Sequence, residues 1–300
     1  MKKGLKALWG LVNQTIQAWG TDNAAQMAAA IAYFTIFSIP PLLIIALAVT
    51  GHFVDTVTAK SQLIAQLGGV IGPQATDFLK TLLDNSVKTA SSPIASIIGV
   101  VVLLAGAMGV FFQVHYALNR IWKVPKKPAQ SLIKTVKDQA LVYLTILGMG
   151  VIFLVTLLLS MVLSALIGKV NGLTGNIFLL QVLNFFILFV TISILIAVVY
   201  RVIPDKAITW RDVWLGAAVT GLLFMLGKYA IGFYLTISNS GSAYGAAGSL
   251  IVLLVWIFYS TQIFLFGAEF THAYSLKFGT HAEAAVIEKS PDERGPHQKG

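Results

Sequence analysis

Lys228 is the side chain whose type and position most strongly suggest chemistry, because it lies in the otherwise apolar stretch Val213 to Thr236. That stretch is long enough to cross a bilayer, where an ammonium group costs about 2.5 kcal/mol or more. A charge retained at this cost needs a partner. We expect either a structural role, with hydrogen bonds to carbonyl groups or to Asn239 and Tyr244, or the binding of an anion or a coupling ion.

Consecutive prolines stand within the first apolar stretch of the chain. Pro40 and Pro41 follow Ser38 and remove two backbone donors, which would free the carbonyl groups of Ile36 and Phe37. The sequence therefore predicts a kink or an interrupted helix. Irregular backbone in a membrane must be satisfied by protein or water, so this face is expected to look inward. A static packing kink and a hinge with a carbonyl site both fit the pattern.

A glycine-rich segment precedes the last apolar stretch. Gly241 and Gly245 are four residues apart, a spacing that lets two helix backbones approach closely. Free amides at the start of a helix also favour anions, here on the same predicted outer half of the membrane as Lys228. Close packing and an anion site are both consistent with the segment. The candidate substrate-binding residues are therefore Lys228, Tyr244, Gly245, Asn239, Ser38, Pro40 and Pro41.

Depth in the membrane separates Lys228 from Glu269. At 1.5 Å per residue, Lys228 lies about 5 Å to the outer side of the middle of its span, and Glu269 about 16 Å to the inner side of its own. We therefore expect no ion pair between them. Charged residues at the depth of Glu269 could form an inner gate, or only anchor the interface through weak salt bridges. The candidate cytoplasmic gate network is Asp22, Arg120, Arg201, Asp212 and Glu269.

Patterns typical of enzymes are absent from the sequence. The five histidines are scattered, and the one E-x-x-H spacing, Glu269 with His272, lacks the second copy that a di-iron bundle requires. The chain has no phosphate-binding glycine loop with its lysine, no G-x-S-x-G elbow and no cysteine. We expect no metal, no cofactor and no enzymatic activity.

The composition is that of a membrane protein with several spans. Of 300 residues, 57% are hydrophobic and 11% charged, against roughly a quarter charged in soluble domains. Because about 20 apolar residues suffice to cross a bilayer as a helix, an all-α fold with six spans is predicted. The spans are Met27 to Val49, Ile94 to Leu118, Ala140 to Ile167, Ile177 to Val202, Val213 to Thr236 and Tyr244 to Thr271.

Basic residues indicate the orientation of these spans. Lys and Arg are concentrated at the N-terminus, in the second and fourth loops and in the tail, so both termini are predicted to be cytoplasmic. The net charge of +9 then reflects topology and an affinity for anionic head groups on the cytoplasmic side. Membrane lipids are the expected partners, nucleic acid is not expected, and the chain could form a homo-oligomer.

The remaining segments divide the chain further. Residues 1–26 are predicted to form a cytoplasmic amphipathic helix that lies in the membrane interface. Its apolar face carries Leu5, Leu8, Trp9, Val12, Ile16 and Trp19. Residues 27–272 would form the transmembrane domain, and residues 273–300 a disordered cytoplasmic tail.

The outer loop 50–93 is much longer than the other outward loops. We expect two short amphipathic helices in it, one of them beginning at Pro73, because proline is favoured at the first position of a helix. Asp84 and Lys88 would form an i,i+4 ion pair. The predicted apolar face of this helix consists of Ala75, Phe78, Leu79, Leu82 and Leu83.

Several motifs occur in order between residues 20 and 275. They are Tyr33 to Pro41, Asn119 to Trp122, Tyr200 to Asp205, Trp210 to Val213, Gly227-Lys228, Tyr244 to Ser249 and Gly267 to Phe270. In these motifs the chain resembles the YihY/BrkB family of bacterial inner-membrane proteins, formerly labelled ribonuclease BN. The resemblance implies a six-helix inner-membrane protein, a link to serum resistance, and an activity for which transport and lipid translocation have been proposed. It brings no set of catalytic residues.

Three functions stand as hypotheses. The first is a transporter or flippase of an amphipathic or anionic substrate, such as a lipid, through an outward-facing cavity near Lys228. The second is a membrane scaffold that docks envelope machinery through its long outer loop. The third, implied only by the former family label, is a ribonuclease that processes tRNA.

Overall fold

The structure, a computed structural model, describes residues 2–50, 55–71, 73–89, 93–125, 177–206, 208–238 and 247–279. All regular secondary structure in these ranges is helical, as the predicted all-α class requires. The eight described helices are α1 (Lys2–Thr21), α2 (Ala24–Thr50), α3 (Thr56–Ile71), α4 (Pro73–Thr89), α5 (Pro93–Ile121), α6 (Ile177–Val202), α7 (Trp210–Ser238) and α8 (Gly248–Lys277).

Four of the described helices are long and apolar enough to cross a membrane. Their candidate spans are Ala24–Leu43, Phe185–Val202, Trp210–Tyr234 and Gly248–Lys277. The predicted second span, Ile94 to Leu118, lies within α5, a helix that is not among these four candidate spans. The predicted third span, Ala140 to Ile167, lies outside the described residues. The last helix ends at Lys277 rather than at the predicted Thr271, so Glu269 lies inside it, about 10 Å from its middle.

Helix α2 continues through Pro40 and Pro41, so of the two predicted alternatives the interrupted helix is wrong and the kink stays a prediction. Each proline removes only its own donor, and the helical hydrogen bonds on either side of the pair carry the helix across it. Packing supports this stretch, because Pro41 is buried and the Ser38 hydroxyl donates to the Phe34 carbonyl at 3.0 Å. A Cβ on Gly106 of α5 would lie 2.6 Å from the Ser38 hydroxyl. The proline-containing face therefore looks inward, onto the backbone of α5.

Two clusters of buried apolar side chains mark the ends of the helix bundle. One cluster, which we refer to as the α1 end, joins the α1–α2 turn to the ends of α5, α6 and α8, with Trp122 and Tyr200 fully buried. The other, the α4 end, joins α3 and α4 to the second half of α2 and the first half of α8, around Leu83 and Leu253. Because α7 begins at the α1 end, where α6 and α8 finish, it runs antiparallel to both.

Helix α1 packs against the bundle with one face and leaves another uncovered. Leu11 and Thr15 are buried, and the Lys277 ammonium donates to the Ala7 carbonyl at 3.0 Å, which ties α1 to the end of α8. The large apolar side chains that stay exposed on α1 are Leu8, Trp9 and Ile16. An exposed apolar face on a helix with a basic start is typical of a helix that lies in a membrane interface.

Helices α3 and α4 form a pair that packs onto the bundle. The second of them begins at Pro73, as predicted, and Leu79 and Leu83 of the predicted apolar face are buried. Asp84 forms an ion pair with Lys60 of α3, whereas the side chain of its predicted partner Lys88 is outside the described set. The pair therefore contributes to the core at the α4 end.

Helices α7 and α8 share a five-residue pattern that brings their backbones together. Gly216 to Thr220 reads GAAVT, and Gly267 to Thr271 reads GAEFT. Each threonine hydroxyl donates to the glycine carbonyl of its own helix, at 2.7 Å in α7 and 2.6 Å in α8. Each threonine also occupies the space over the glycine of the other helix, where a Cβ would overlap it. This reciprocal contact fixes Glu269, inside the second pattern, relative to α7.

Candidate functional site

A cavity of about 630 Å³ opens at the α1 end of the bundle. A cavity of this size can hold a small ligand or a lipid head group. It is bounded by the last turns of α5, the α1–α2 turn at Asp22 and the segment after α6 at Asp205. Helix α5 supplies much of its lining, through Phe112, His115, Tyr116, Asn119 and Arg120, and the turn that follows α5 adds Lys123.

The lining of α5 changes in character along the helix. Its residues are spaced by three and four positions, which places them on one face, and the stripe from Phe112 to Arg120 is about 12 Å long. The apolar ring of Phe112, which is half exposed, lies farthest from the end of the helix. Tyr116 and Asn119 follow, and the cations Arg120 and Lys123 lie at the end. The cavity therefore has an apolar inner part and a basic mouth.

A buried acid closes one side of this mouth. The Lys123 ammonium contacts the two carboxylate oxygens of Asp22 at 2.6 and 2.5 Å, and Arg120 Nε lies 3.9 Å from the same carboxylate. The Asp22 side chain is only 8% exposed. Among the described non-glycine residues, positive φ angles occur only at Asn23 and Lys123, beside and within this ion pair. Such backbone conformations cost energy and are common at functional sites.

A second polar cluster holds the segment after α6 against α5. Asn119 donates to the Asp205 carboxylate at 3.1 Å and accepts a hydrogen bond from the Asp205 amide at 2.8 Å. His115 Nε2 lies 3.4 Å from the same carboxylate. The two ends of Asn119 thus clamp the segment at Asp205, which fixes this wall of the cavity.

Glu269 lies in the core next to this cavity and does not line it. The residue is fully buried, and within the described ranges no hydrogen-bond donor reaches either of its carboxylate oxygens. The Asp22 carboxyl group lies within hydrogen-bonding reach of it, and the Lys123 charge acts on it. A buried Glu269 does not fit the expectation of an exposed interfacial anchor, because α8 extends past it to Lys277 and takes it into the core.

Arg201 and Asp212, predicted members of the same network, have other neighbours. The Arg201 guanidinium lies 6.0 Å from the centre of the Trp210 ring, and Asp212 accepts a hydrogen bond from the Thr209 hydroxyl at 2.9 Å. The structure therefore brings together Asp22, Arg120 and Glu269 from the predicted network and leaves Arg201 and Asp212 outside it.

Lys228 lies on α7 toward the α4 end, beside a recess formed with α8. The recess has an empty volume of about 170 Å³ and is too narrow to hold a water molecule; its α8 side carries Trp256, Tyr259, Ser260 and Ile263. The half-buried Lys228 ammonium lies 6.0 Å from the centre of the Tyr229 ring. No ion pair joins Lys228 and Glu269, because the recess lies beside residues 256–263 of α8 and Glu269 lies about 9 Å or more farther along that helix.

The remaining predicted binding residues fall into two groups. Asn239, Tyr244 and Gly245 lie outside the described residues. The others, Ser38, Pro40 and Pro41, lie in the middle of α2 against α5, away from the lining of the cavity at the α1 end.

Sequence reasoning missed Lys123, Tyr116, Asn119 and His115 as site residues. Lys123 counted only as a loop charge that indicates topology. The signal that could have found His115, Tyr116 and Asn119 is the spacing of polar and aromatic residues by three and four positions at the end of an apolar span, since one helix face then carries all three.

Similar proteins support the membrane assignment. A UPF0761 membrane protein of Alcanivorax borkumensis is 30% identical over 260 residues, which cover 86% of this chain and 58% of that protein. Others from Psychromonas ingrahamii and Alteromonas mediterranea are each 28% identical, over 90% and 94% of this chain and 92% and 94% of their own lengths. No solved structure was found to match.

A family model described as "Virulence factor BrkB" matches residues 15–290, nearly the whole chain. This match agrees with the names of the relatives and with the four helices that are apolar enough to cross a membrane. The chain therefore belongs to the BrkB family of membrane proteins.

Proposed function

We propose that this protein moves an amphipathic, anionic substrate, such as a lipid, through a bacterial inner membrane, by a path that begins at the cavity of the α1 end. The observation that carries the proposal is the polarity gradient along α5. An anionic head group fits the basic mouth at Arg120 and Lys123, and an acyl or other apolar part fits the inner end at Phe112. With both termini in the cytoplasm, as predicted, this mouth faces the cytoplasmic leaflet.

Arg120 is the residue best suited to bind the head group. A guanidinium carries five N–H donors in a planar fork that matches phosphate and carboxylate oxygens. The contact with the Tyr116 hydroxyl, at 3.2 Å, uses one of these donors. Lys123 is held by Asp22, so that it shapes the mouth, while Arg120, at 3.9 Å, is bound to Asp22 more loosely.

Lys228 marks a second charged position on the proposed path. The recess beside it is too narrow for a solute, so passage requires α7 and α8 to separate near the α4 end. In this proposal the structure has a closed path at Lys228 and an open cavity at the α1 end. An anion that reaches Lys228 would offset the cost of its charge within an apolar helix.

A lipid-movement assay tests the proposal. Purified protein is reconstituted into vesicles that contain a trace of fluorescent phosphatidylglycerol or of fluorescent phosphatidylcholine, and a membrane-impermeant reductant bleaches the outer leaflet. We expect the protein to move the anionic lipid faster than the zwitterionic one. The Arg120→Gln variant should slow this movement about tenfold, which corresponds to the loss of one charged hydrogen bond.

Two further variants sharpen the assay. Lys228→Met should abolish movement while the protein remains folded, and Lys80→Gln, at an exposed site on α4, should leave the rate unchanged. If the protein moves no lipid, the reductant bleaches the same fraction of the fluorescence as in protein-free vesicles. That result would contradict the proposed function. Normal rates in both the Arg120 and the Lys228 variant would remove the proposed path.

A further inference from the structure

The structure assigns a proton-binding site to Glu269 and Asp22. We infer that the two carboxyl groups share one proton, which Glu269 carries and donates to Asp22, and that this proton exchanges through the cavity at the α1 end. The inference goes beyond the proposed function and does not depend on it, since a proton can bind here whether or not the protein moves a substrate.

The first support is the burial of Glu269 without a donor. An ionised carboxylate in the core is very costly unless it is paired and hydrogen-bonded. Within the described chain, neither oxygen of Glu269 has a donor, and the only carboxyl group known to face it belongs to Asp22. Two carboxylates cannot hydrogen-bond to each other, because both only accept. A single proton placed between them turns their repulsion into a hydrogen bond.

The second support is the asymmetry of the two acids. Asp22 receives both of its short contacts from the Lys123 ammonium, and Arg120 lies near it as well, so its negative charge is already compensated. Among the described charged groups, those that act on Glu269 are the Asp22 carboxyl group and the Lys123 ammonium, and neither oxygen of Glu269 has a donor. The proton therefore belongs on Glu269, with Asp22 as its acceptor.

The described elements packed around Glu269 carry other titratable and charged groups. The α1–α2 turn contributes Asp22, and the end of α5 contributes Arg120 and Lys123. On α8 itself, His272 packs its ring on Trp122, with ring centres 5.0 Å apart. On α7, the nearest acid is Asp212, which lies beside Gly279, about 15 Å along α8 from Glu269. Among these groups, only Asp22 can take the proton of Glu269 in a direct hydrogen bond.

Asp22 also provides the route for exchange. It lines the cavity together with Lys123, whereas Glu269 does not. A proton that enters from the aqueous mouth therefore meets Asp22 first and passes to Glu269 behind it. Movement of the Lys123 ammonium away from Asp22 would leave the Asp22 carboxylate with only the looser contact of Arg120, and so strengthen the binding of the shared proton.

Infrared spectroscopy of the full-length protein in lipid nanodiscs tests the inference. A protonated carboxyl group gives a C=O stretch that is separate from the amide and carboxylate bands. At neutral pH we expect such a band in the wild type, its loss in Glu269→Gln, and a change in its frequency in Asp22→Asn. The band should shift to lower frequency in heavy water, because its proton exchanges through the cavity.

A matched control and a second variant keep the test decisive. Asp212→Asn, at an equally buried acid that has the Thr209 hydroxyl as a donor, should leave the band unchanged. If Glu269→Gln does not fold, Glu269→Asp retains a carboxyl group and should move the band without removing it. The inference is overturned if the wild type has no such band, or if the band survives in Glu269→Gln.

Discussion

The Lys123 ammonium donates hydrogen bonds to both oxygens of the Asp22 carboxylate, although the two residues are 101 positions apart in the chain. This ion pair joins the α1–α2 turn to the end of α5 at the mouth of the cavity. Because Asp22 is 8% exposed and Lys123 57% exposed, the acid depends on the lysine for its stability far more than the lysine depends on the acid.

Replacement of Lys123 by Met should destabilise the protein by about 1–2 kcal/mol, because Asp22 keeps only the looser contact with Arg120. Thermal unfolding in detergent measures the effect. Lys80→Met is the control, since its ion pair with Asp77 is exposed and should contribute little. The double variant with Asp22→Asn should lose less than the sum of the single losses, and strictly additive losses would contradict the pairing.

The reciprocal glycine–threonine contact predicts a second effect. Gly216→Ala should cost about 1–3 kcal/mol, because its Cβ would overlap Thr271 and push α7 and α8 apart. Addition of Thr271→Ala should restore part of the stability. Gly232→Ala is the control, since a Cβ there meets nothing within 4 Å. Equal melting temperatures for the two glycine variants would show that the helices do not pack this closely.

Helices α3 and α4 should behave as part of the core and not as a separate arm. Leu83 is fully buried, so Leu83→Ala should cost about 2–5 kcal/mol in a chemical or thermal unfolding experiment. Val57 is 78% exposed on the same pair of helices, and Val57→Ala should change stability by less than about 0.5 kcal/mol. A loss of stability as small as that of Val57→Ala would instead indicate that α3 and α4 are loosely attached to the bundle, as a docking scaffold requires.

The Tyr200 hydroxyl should contribute to the contact between α6 and α8. It donates to the Phe264 carbonyl at 2.5 Å and lies 3.3 Å from the Thr220 hydroxyl. Tyr200→Phe keeps the ring and removes this bond, so we expect a loss of about 1 kcal/mol. Tyr229→Phe, at an exposed ring on α7, is the matched control. Equal stability of both variants would assign the buried hydroxyl no role.

The parts of the fold that depend on local sequence signals were predictable. Helix α6 has the predicted bounds Ile177–Val202, and α4 begins at Pro73, because apolar length and proline at a first position act locally. The separation of Lys228 from Glu269 followed from the fixed rise of a helix. Continuation of α2 through its prolines was not predictable, since it depends on support from α5.

The site was harder to predict, because it depends on which way each helix faces. Helices α2, α7 and α8 are apolar on nearly all sides, so their sequences do not indicate the face that turns inward. Sequence reasoning therefore placed Arg201, Asp212 and Glu269 at one depth but could not tell that only Glu269 faces Asp22. Lys123 reaches Asp22 through a left-handed backbone turn that no sequence pattern announced.

The bond from Lys277 to the Ala7 carbonyl has a consequence for how the protein is made. During synthesis α1 emerges from the ribosome before α8, the helix that it packs against. The contact between them can therefore form only after α8 has been made. The uncovered ring of Trp9 would let α1 rest on lipid in that interval, so the docking of α1 would follow the synthesis of helices that come after it in the chain.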